Sequence, residues 1–397
     1  MRHRLFFTLV SCLVIAGCIP SEPIQRPTPL SDDAMSAAMK DLCSRDVVLL
    51  GEGANHGDGR SLAFKSELVQ RLVEHCGFDA VIFEASSYDF LEIDRRLTKG
   101  QPVTRAMVSS AVGGLWNRND EMQPLTTFLH QAVVAGRVRL GGIDDQLGSA
   151  GAFYSIGDMP AELAALLPSS RAIECTEVLR QLIFGQLTSP SPETSTLVAC
   201  LAEMRRAVDA APEGVDRQAR ERHLINIGSY LARQGADRSQ YLDGRSQAMW
   251  SNFRWLVANR FGPDAKVIVW GASVHLSRDA SAYPTFATIK NFGSYVDHAY
   301  GDSAFFLGFT AAAGSYMEGT QIRERPQATP GSLEAAALAT STADSIYLGR
   351  SDLESLDEAP ASIFSPSAAP VTAVWSEVLD GVVVFRVERP PTRISAN

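Results

Sequence analysis

The chain has 397 residues, of which 45% are apolar and 20% charged, the proportions of a folded globular protein and not of a disordered one. That length buries a large core and accommodates one big domain or two ordinary ones. A formal charge of -9, with no run rich in Lys and Arg, excludes nucleic acid as a partner.

Arg2 and Arg4 form a basic n-region, and Leu5 to Ile15 an apolar stretch too short for a full transmembrane helix. The stretch closes on Ile15-Ala16-Gly17-Cys18, which resembles a bacterial lipobox. Residues 1–17 are therefore expected to be a lipoprotein signal peptide, cleaved before Cys18, whose thiol would carry lipid. Residues 18–31 contain four prolines and predict an extended tether. The expected location is extracytoplasmic, lipid-anchored to a bacterial membrane, with the folded domain over 32–397. A soluble secreted protein in which Cys18 is incidental is the alternative.

In chain order, Ser31–Lys40 predicts a lead-in helix capped by Ser31 or Asp32. Val47–Leu50 is an apolar run of strand length, followed by Gly51-Glu52-Gly53 and a loop carrying His56. Leu62, Leu68, Leu72 and Val73 recur at helix-like spacing and Gly77 stops that helix. Ala80–Phe83 is a second buried run, ending on Glu84. This strand–helix–strand unit predicts parallel strands with a right-handed crossover. Glu52 and Glu84 are then expected at the carboxyl ends of neighbouring strands, where open α/β sheets hold ligands.

Helices follow over Tyr88–Met107 and Glu121–Ala135, and a third strand, Val138–Ile143, delivers Asp144 and Asp145 to the same edge. Ser149 to about Arg245 contains no strand pattern. Amphipathic helices Arg171–Leu187, Thr194–Ala211 and Val215–Gln234 are broken by Ser189-Pro190-Ser191-Pro192 and Pro212-Glu213-Gly214. They predict a helical insertion, about 150–245, covering the sheet edge as a pocket wall or lid. After a helix over Gly244–Phe261 the sheet resumes with Lys266–Trp270, Ala304–Thr310 and Gly381–Val387, and a further helix lies near Ser332–Thr340. The expected fold class is α/β: a mainly parallel sheet flanked by helices, with a large helical insertion.

Apart from Cys12 and Cys18 the chain holds Cys43, Cys76, Cys175 and Cys200, which allow three pairings. Cys43 lies just before the first strand and Cys76 just before the second, at the same end of the strand–helix–strand unit. That favours Cys43–Cys76 and leaves Cys175–Cys200 inside the helical region, as an oxidising compartment permits. Four buried thiols are the alternative.

An ordered set of motifs resembles the erythromycin esterase family over nearly the whole chain beyond the tether. It comprises Gly51-Glu52…His56-Gly57, Gly77-Phe78-Asp79…Phe83-Glu84-Ala85, Trp116…Asn119…Glu121 and Gly142-Ile143-Asp144. It continues with Arg245…Met249…Asn252…Trp255, Val269-Trp270…His275 and Gly308-Phe309…Gly314-Ser315-Tyr316. Lys65 stands where the family carries a basic residue. Two positions differ: three residues separate Glu52 from His56 where the family has two, and Ala272 replaces the first histidine of the stretch ending in His275. The resemblance implies a hydrolase that opens macrolide lactones without metal or cofactor, with the first-loop histidine as general base towards water.

Chemically, water attacking an ester carbonyl needs a base with a pKa near neutrality, and histidine supplies it. His56 is the candidate base, with Glu52 or Glu84 fixing its tautomer. His275, Lys65 or Arg245 would stabilise the oxyanion or protonate the leaving alkoxide, and Trp116, Glu121 and Asp144 are candidate substrate contacts. The expected partner is a small-molecule ester or macrolide. Three other readings stand beside this one: a serine esterase using Ser273 after the fourth strand, a metal-dependent hydrolase on the same histidines and carboxylates, and a non-catalytic ligand-binding lipoprotein.

Overall fold

The computed structural model describes residues 32–148, 152–185 and 192–394. The expected signal peptide, the tether and Cys18 lie outside the described residues, as do Ser189, Pro190 and Ser191 of the predicted break.

Helix α1 (Asp32–Leu42) leads into strand β1 (Val47–Glu52), helix α2 (Gly59–Cys76) and strand β2 (Ala80–Ser86). Both strands are buried at every residue, which is why their sequences run apolar without alternation: helices cover both faces of a parallel sheet. Gly77 closes α2 in the left-handed conformation with φ 72°, its N–H bonded to the carbonyl of Leu72. The helix expected over Tyr88–Met107 is two, α3 (Ser87–Thr98) and α4 (Arg105–Val112). Gly100 at φ 66° and Pro102 break it, and Thr104 caps the second piece by accepting the Met107 N–H at 3.2 Å. Helix α5 (Gln123–Val134) and strand β3 (Arg139–Asp144) complete the first half of the sheet.

The insertion comprises α6 (Met159–Ala164), α7 (Ser169–Ile183), α8 (Pro192–Asp209) and α9 (Val215–Ala232), after which α10 (Arg238–Leu256) returns the chain to the sheet. These helices enclose their own apolar cluster, with Leu179, Leu197, Met204 and Ile227 packed around Cys175 and Cys200. Strand β4 (Val267–Ala272), the short α11 (Ser273–Leu276), α12 (Phe292–Tyr300) and β5 (Ala304–Ala311) follow. Then come the hairpin β6 (Ser315–Glu318) and β7 (Gln321–Glu324), α13 (Leu333–Thr340), β8 (Ser345–Leu348) and α14 (Arg350–Ser355). The last elements are β9 (Ala359–Ala361), β10 (Val371–Ala373), α15 (Trp375–Val378) and β11 (Gly381–Phe385).

The seven-stranded sheet has the order β3-β2-β4-β1-β5-β11-β8. Every pairing is parallel except that of β8 with β11, which closes one edge antiparallel. The sequence expectation of β1 and β2 as neighbours is corrected here: β4 pairs with both. The crossover through α2 skips one strand position, and Val267–Trp270, apolar throughout, fills the gap after the long helical excursion. The consequence is functional, because the segment carrying His275 enters between Glu52 and Glu84.

Both disulfides form as expected, Cys43–Cys76 and Cys175–Cys200, with Cα–Cα distances of 4.9 and 5.5 Å. At the first, the Lys266 ammonium donates to the carbonyls of Cys43 and Cys76, tying the start of β1 to the end of α2 beside β4. No described helix is long and apolar enough to cross a membrane.

Candidate active site

Four parallel strands present polar side chains at one edge. Glu52 ends β1, Glu84 lies in β2, Asp144 ends β3, and β4 ends at Ala272, from which α11 turns back with His275. Glycines make the edge compact. A Cβ on Gly51 would stand 2.8 Å from Ser273 Cα, and one on Gly271 would stand 2.6 Å from Glu84 Oε2. The glycine at 271 thus leaves the volume that the Glu84 carboxylate fills.

The first cluster is centred on Glu52, which is 4% exposed. Its Oε1 accepts from His56 Nδ1 at 2.9 Å and from Trp116 Nε1 at 2.6 Å, and its Oε2 accepts from the Lys65 ammonium. Lys65 is wholly buried, its Nζ 4.0 Å from the centroid of the Trp270 ring. Burial works against ionising Glu52, but the Lys65 charge and the His56 hydrogen bond outweigh it and hold the carboxyl below its ordinary value. Burial likewise opposes protonating His56, and the hydrogen bond and charge of Glu52 reverse the balance, raising its pKa above the usual value. Burial brings Lys65 down to about 8 against the pull of Glu52. His56 is the one non-glycine residue with positive φ, 53°, among the described residues. Such backbone strain collects at functional sites. Because Nδ1–H donates to Glu52, Nε2 is left as the basic nitrogen.

Arg245 of α10 organises the second cluster. Its guanidinium reaches Asp144 Oδ2 at 2.6 Å and Glu84 Oε1 at 2.9 Å, and its Nη1 lies 2.8 Å from His275 Nε2. Glu84 Oε2 also accepts the Ala272 N–H at 2.8 Å. Burial raises the Glu84 carboxyl, but His275, Arg245 and the Ala272 N–H bring it down to about 2. Burial, seconded by the Arg245 charge, depresses His275 to about 4 although Glu84 pulls the other way. His275 is therefore neutral near neutrality, and the permanent charge on Arg245 is what neutralises Glu84 there. A guanidinium can only donate, so His275 Nε2 accepts and the proton sits on Nδ1. That Nδ1 is buried without a hydrogen-bond partner among the described residues.

Both clusters face a cleft of about 1130 Å³. Of the residues expected from the sequence, His56, Glu84, Trp116, Asp144, Arg245 and His275 line it. Glu52 lies behind His56 as its buried partner. Three expectations are corrected. Lys65 does not line the cleft; it is committed beneath Glu52, the partner of His56. Glu121 is outside as well, bound to Arg389 and to the N–H and hydroxyl of Thr392, where it fastens the C-terminal segment. Ser273 is fully buried with its hydroxyl donating to the Gly51 carbonyl at 2.7 Å, an orientation that hides it from any ester. Among the described residues, no group of three or more His, Cys, Asp or Glu is arranged to hold a metal ion; Arg245 occupies the space between Glu84 and Asp144.

The expected role of the insertion also changes. No residue of α6 to α9 lines the cleft among the described residues; the wall comes from 113–118, Gln146–Gly148, the hairpin tip at Gly319 and Thr320, and Arg393 and Ile394. The sequence reading passed over these last four, which lie in loops with no periodic signal, brought in only by long-range pairing.

The erythromycin esterase family model matches residues 73–368. A curated relative, the putative hydrolase YbfO of Bacillus subtilis (strain 168), is 21% identical over 344 residues, 76% of this chain and 75% of its own length. Among solved structures, a succinoglycan biosynthesis protein superposes with a TM-score of 0.69 at 15% identity, covering 94% of this chain and 95% of that one. A Bacillus cereus protein gives 0.65 at 18% identity, covering 92% and 94%. A mutant of the erythromycin esterase EreC in its open conformation gives 0.62 at 16% identity, covering 91% and 95%. These identities speak for the fold, whereas the family match, running from the end of α2 past β9, speaks for descent: the chain belongs to the erythromycin esterase family of hydrolases.

Proposed function

We propose that the protein hydrolyses an ester or macrolide lactone by direct attack of water, with His56 as general base. The observation that carries this reading is the His56 Nδ1–Glu52 hydrogen bond of 2.9 Å, which fixes the tautomer whose Nε2 can take a proton in the cleft. Water adds to the carbonyl carbon as its proton passes to His56 Nε2. The tetrahedral intermediate then expels the alkoxide, which takes that proton back, leaving a carboxylic acid and an alcohol. The His275 Nδ1–H is buried away from the cleft, so the developing oxyanion is left to the permanent positive charge of Arg245, which lines the cleft. Burial, seconded by the Arg245 charge, keeps His275 neutral, and Arg245 orients its ring.

Macrolide lactones are the first substrates to test, because the family is named for one. Incubation with a 14- and a 15-membered macrolide, read by mass spectrometry, is expected to show a gain of one water that His56→Ala abolishes. No gain with either ring would sink the macrolide assignment and move the search to simple esters. We also place the protein outside the cytoplasm on a lipid anchor at Cys18, where it would meet an incoming antibiotic; Cys18→Ser would then release it from the membrane fraction.

A further inference from the structure

The mouth of the cleft is charged differently from the rest of the molecule. The chain has a formal charge of -9, and the two carboxylates lining the cleft, Glu84 and Asp144, are both bound to Arg245. Histidines aside, the other charged side chains on the cleft wall are Arg118 and Arg393, both exposed. Backbone pairing brings their two segments together: Asn119 bridges Arg393 antiparallel, and the Ile394 N–H donates to the Arg118 carbonyl at 2.9 Å. Neither forms an ion pair among the described residues. Arg393 Nη2 donates to the Gly319 carbonyl at 3.4 Å, and Glu121 is committed to Arg389 and Thr392. Both arginines line the cleft with no carboxylate paired to either among the described residues, so each is left to meet an anion there through charge-assisted hydrogen bonds. The same wall carries Leu115 and Ile394, 55% and 42% exposed, an apolar surface beside the cationic one.

We propose that Arg118 and Arg393 form an anion subsite and that the preferred substrate is an ester with an acidic group remote from the scissile bond. Its apolar body lies against Leu115 and Ile394. The inference rests on the hydrolase reading above and narrows it: a lactone or ester bearing an amine binds less well than its neutral counterpart, and an acidic one better.

Three benzyl butyrates test this, bearing a para sulfonate, a para methyl or a para trimethylammonium group. The kcat/KM values are expected to fall in that order, with about tenfold between sulfonate and methyl at low ionic strength. The spread should shrink in high salt, where the Debye length contracts. In the double variant Arg118→Glu with Arg393→Glu the order inverts, whereas Arg254→Glu, an exposed site on α10 outside the cleft lining, leaves it intact. Equal values for the three esters, or an order that survives the double reversal, overturns the proposal. Calorimetric binding of the matching benzyl butyramides, which are not cleaved, separates the two readings. If no ester is hydrolysed the hydrolase reading fails, and the order of the amide affinities alone decides the charge inference.

Discussion

Glu52 accepts from a histidine, an indole and an ammonium at once, so its charge is fully committed in the ground state. Its effect on His56 is measurable. In the proposed role of base His56 works only when neutral, and Glu52 raises its pKa, so the rising limb of the kcat/KM–pH profile should have its midpoint above the ordinary histidine value. Glu52→Gln is expected to shift that limb to lower pH and to lower the plateau; an unmoved limb would mean another residue is the base. His56→Ala should cost about 10²-fold or more in kcat/KM, read against unchanged near-UV circular dichroism. Lys65→Met removes one partner of a buried ion pair and leaves Glu52 uncompensated, a change worth about 3 kcal/mol or more in a urea melt. An unaltered melt would place Lys65 outside the energetics of the pair.

At the scale of elements, the loop bearing His56 is fastened from the far end of the chain. Met317 of β6 donates its N–H to the Gly57 carbonyl at 2.9 Å, and Asn55 Nδ2 reaches the Met317 carbonyl at 3.2 Å. A Cβ on Gly57 would stand 1.8 Å from the Met317 oxygen, so Gly57→Ala must push hairpin and loop apart. Loss of esterase activity with only a small fall in Tm is the expected result. Just beyond, Asp58 is paired with Arg325 at 2.8 Å, and Glu388 accepts from the Arg60 and Ser61 N–H groups. Burial and the neighbouring Asp58 charge push the Glu388 carboxyl up to about 7. The native state therefore binds this proton more tightly than the unfolded chain does. The stabilisation is fully present below the ordinary carboxyl pKa and is lost as pH rises through about 7. Urea midpoints for Glu388→Gln should depend less on pH across that window than those of the parent; parallel curves would refute the assignment.

For the whole molecule, two disulfides close loops of 33 and 25 residues, one bracing the sheet and the other the helical insertion. Chain-entropy arguments give each about 3.5 kcal/mol. Reduction should therefore lower Tm in two steps, resolvable by replacing either pair with serine. The insertion keeps its own core around Cys175 and Cys200, so loss of that pair should loosen α7 and α8 while the Glu52–His56 hydrogen bond stays in place. Hydrogen exchange in the two variants would show whether the two cores open separately.

Residue type and order in the chain were enough to reveal the parallel α/β sheet, its helical insertion and both disulfide pairs, and with the family resemblance they named most of the polar residues that meet at the sheet edge. Buried parallel strands announce themselves as unbroken apolar runs, and the polar residue that ends such a run must stand at the sheet edge. Glu52, Glu84 and Asp144 were legible for that reason, His56 by its glycine-rich loop, and His275 by the family resemblance of the Val269–His275 stretch. Tertiary structure alone decided which of them meet. Placing β4 between β1 and β2 set His275 between two carboxylates, and the buried position of Lys65 made it a partner of Glu52 instead of a substrate contact. The cleft wall at Arg118, Gly319, Thr320, Arg393 and Ile394 is equally a product of long-range pairing. These residues lie in irregular segments up to hundreds of positions apart, and periodicity, which reports only neighbours along one element, carries no information about them.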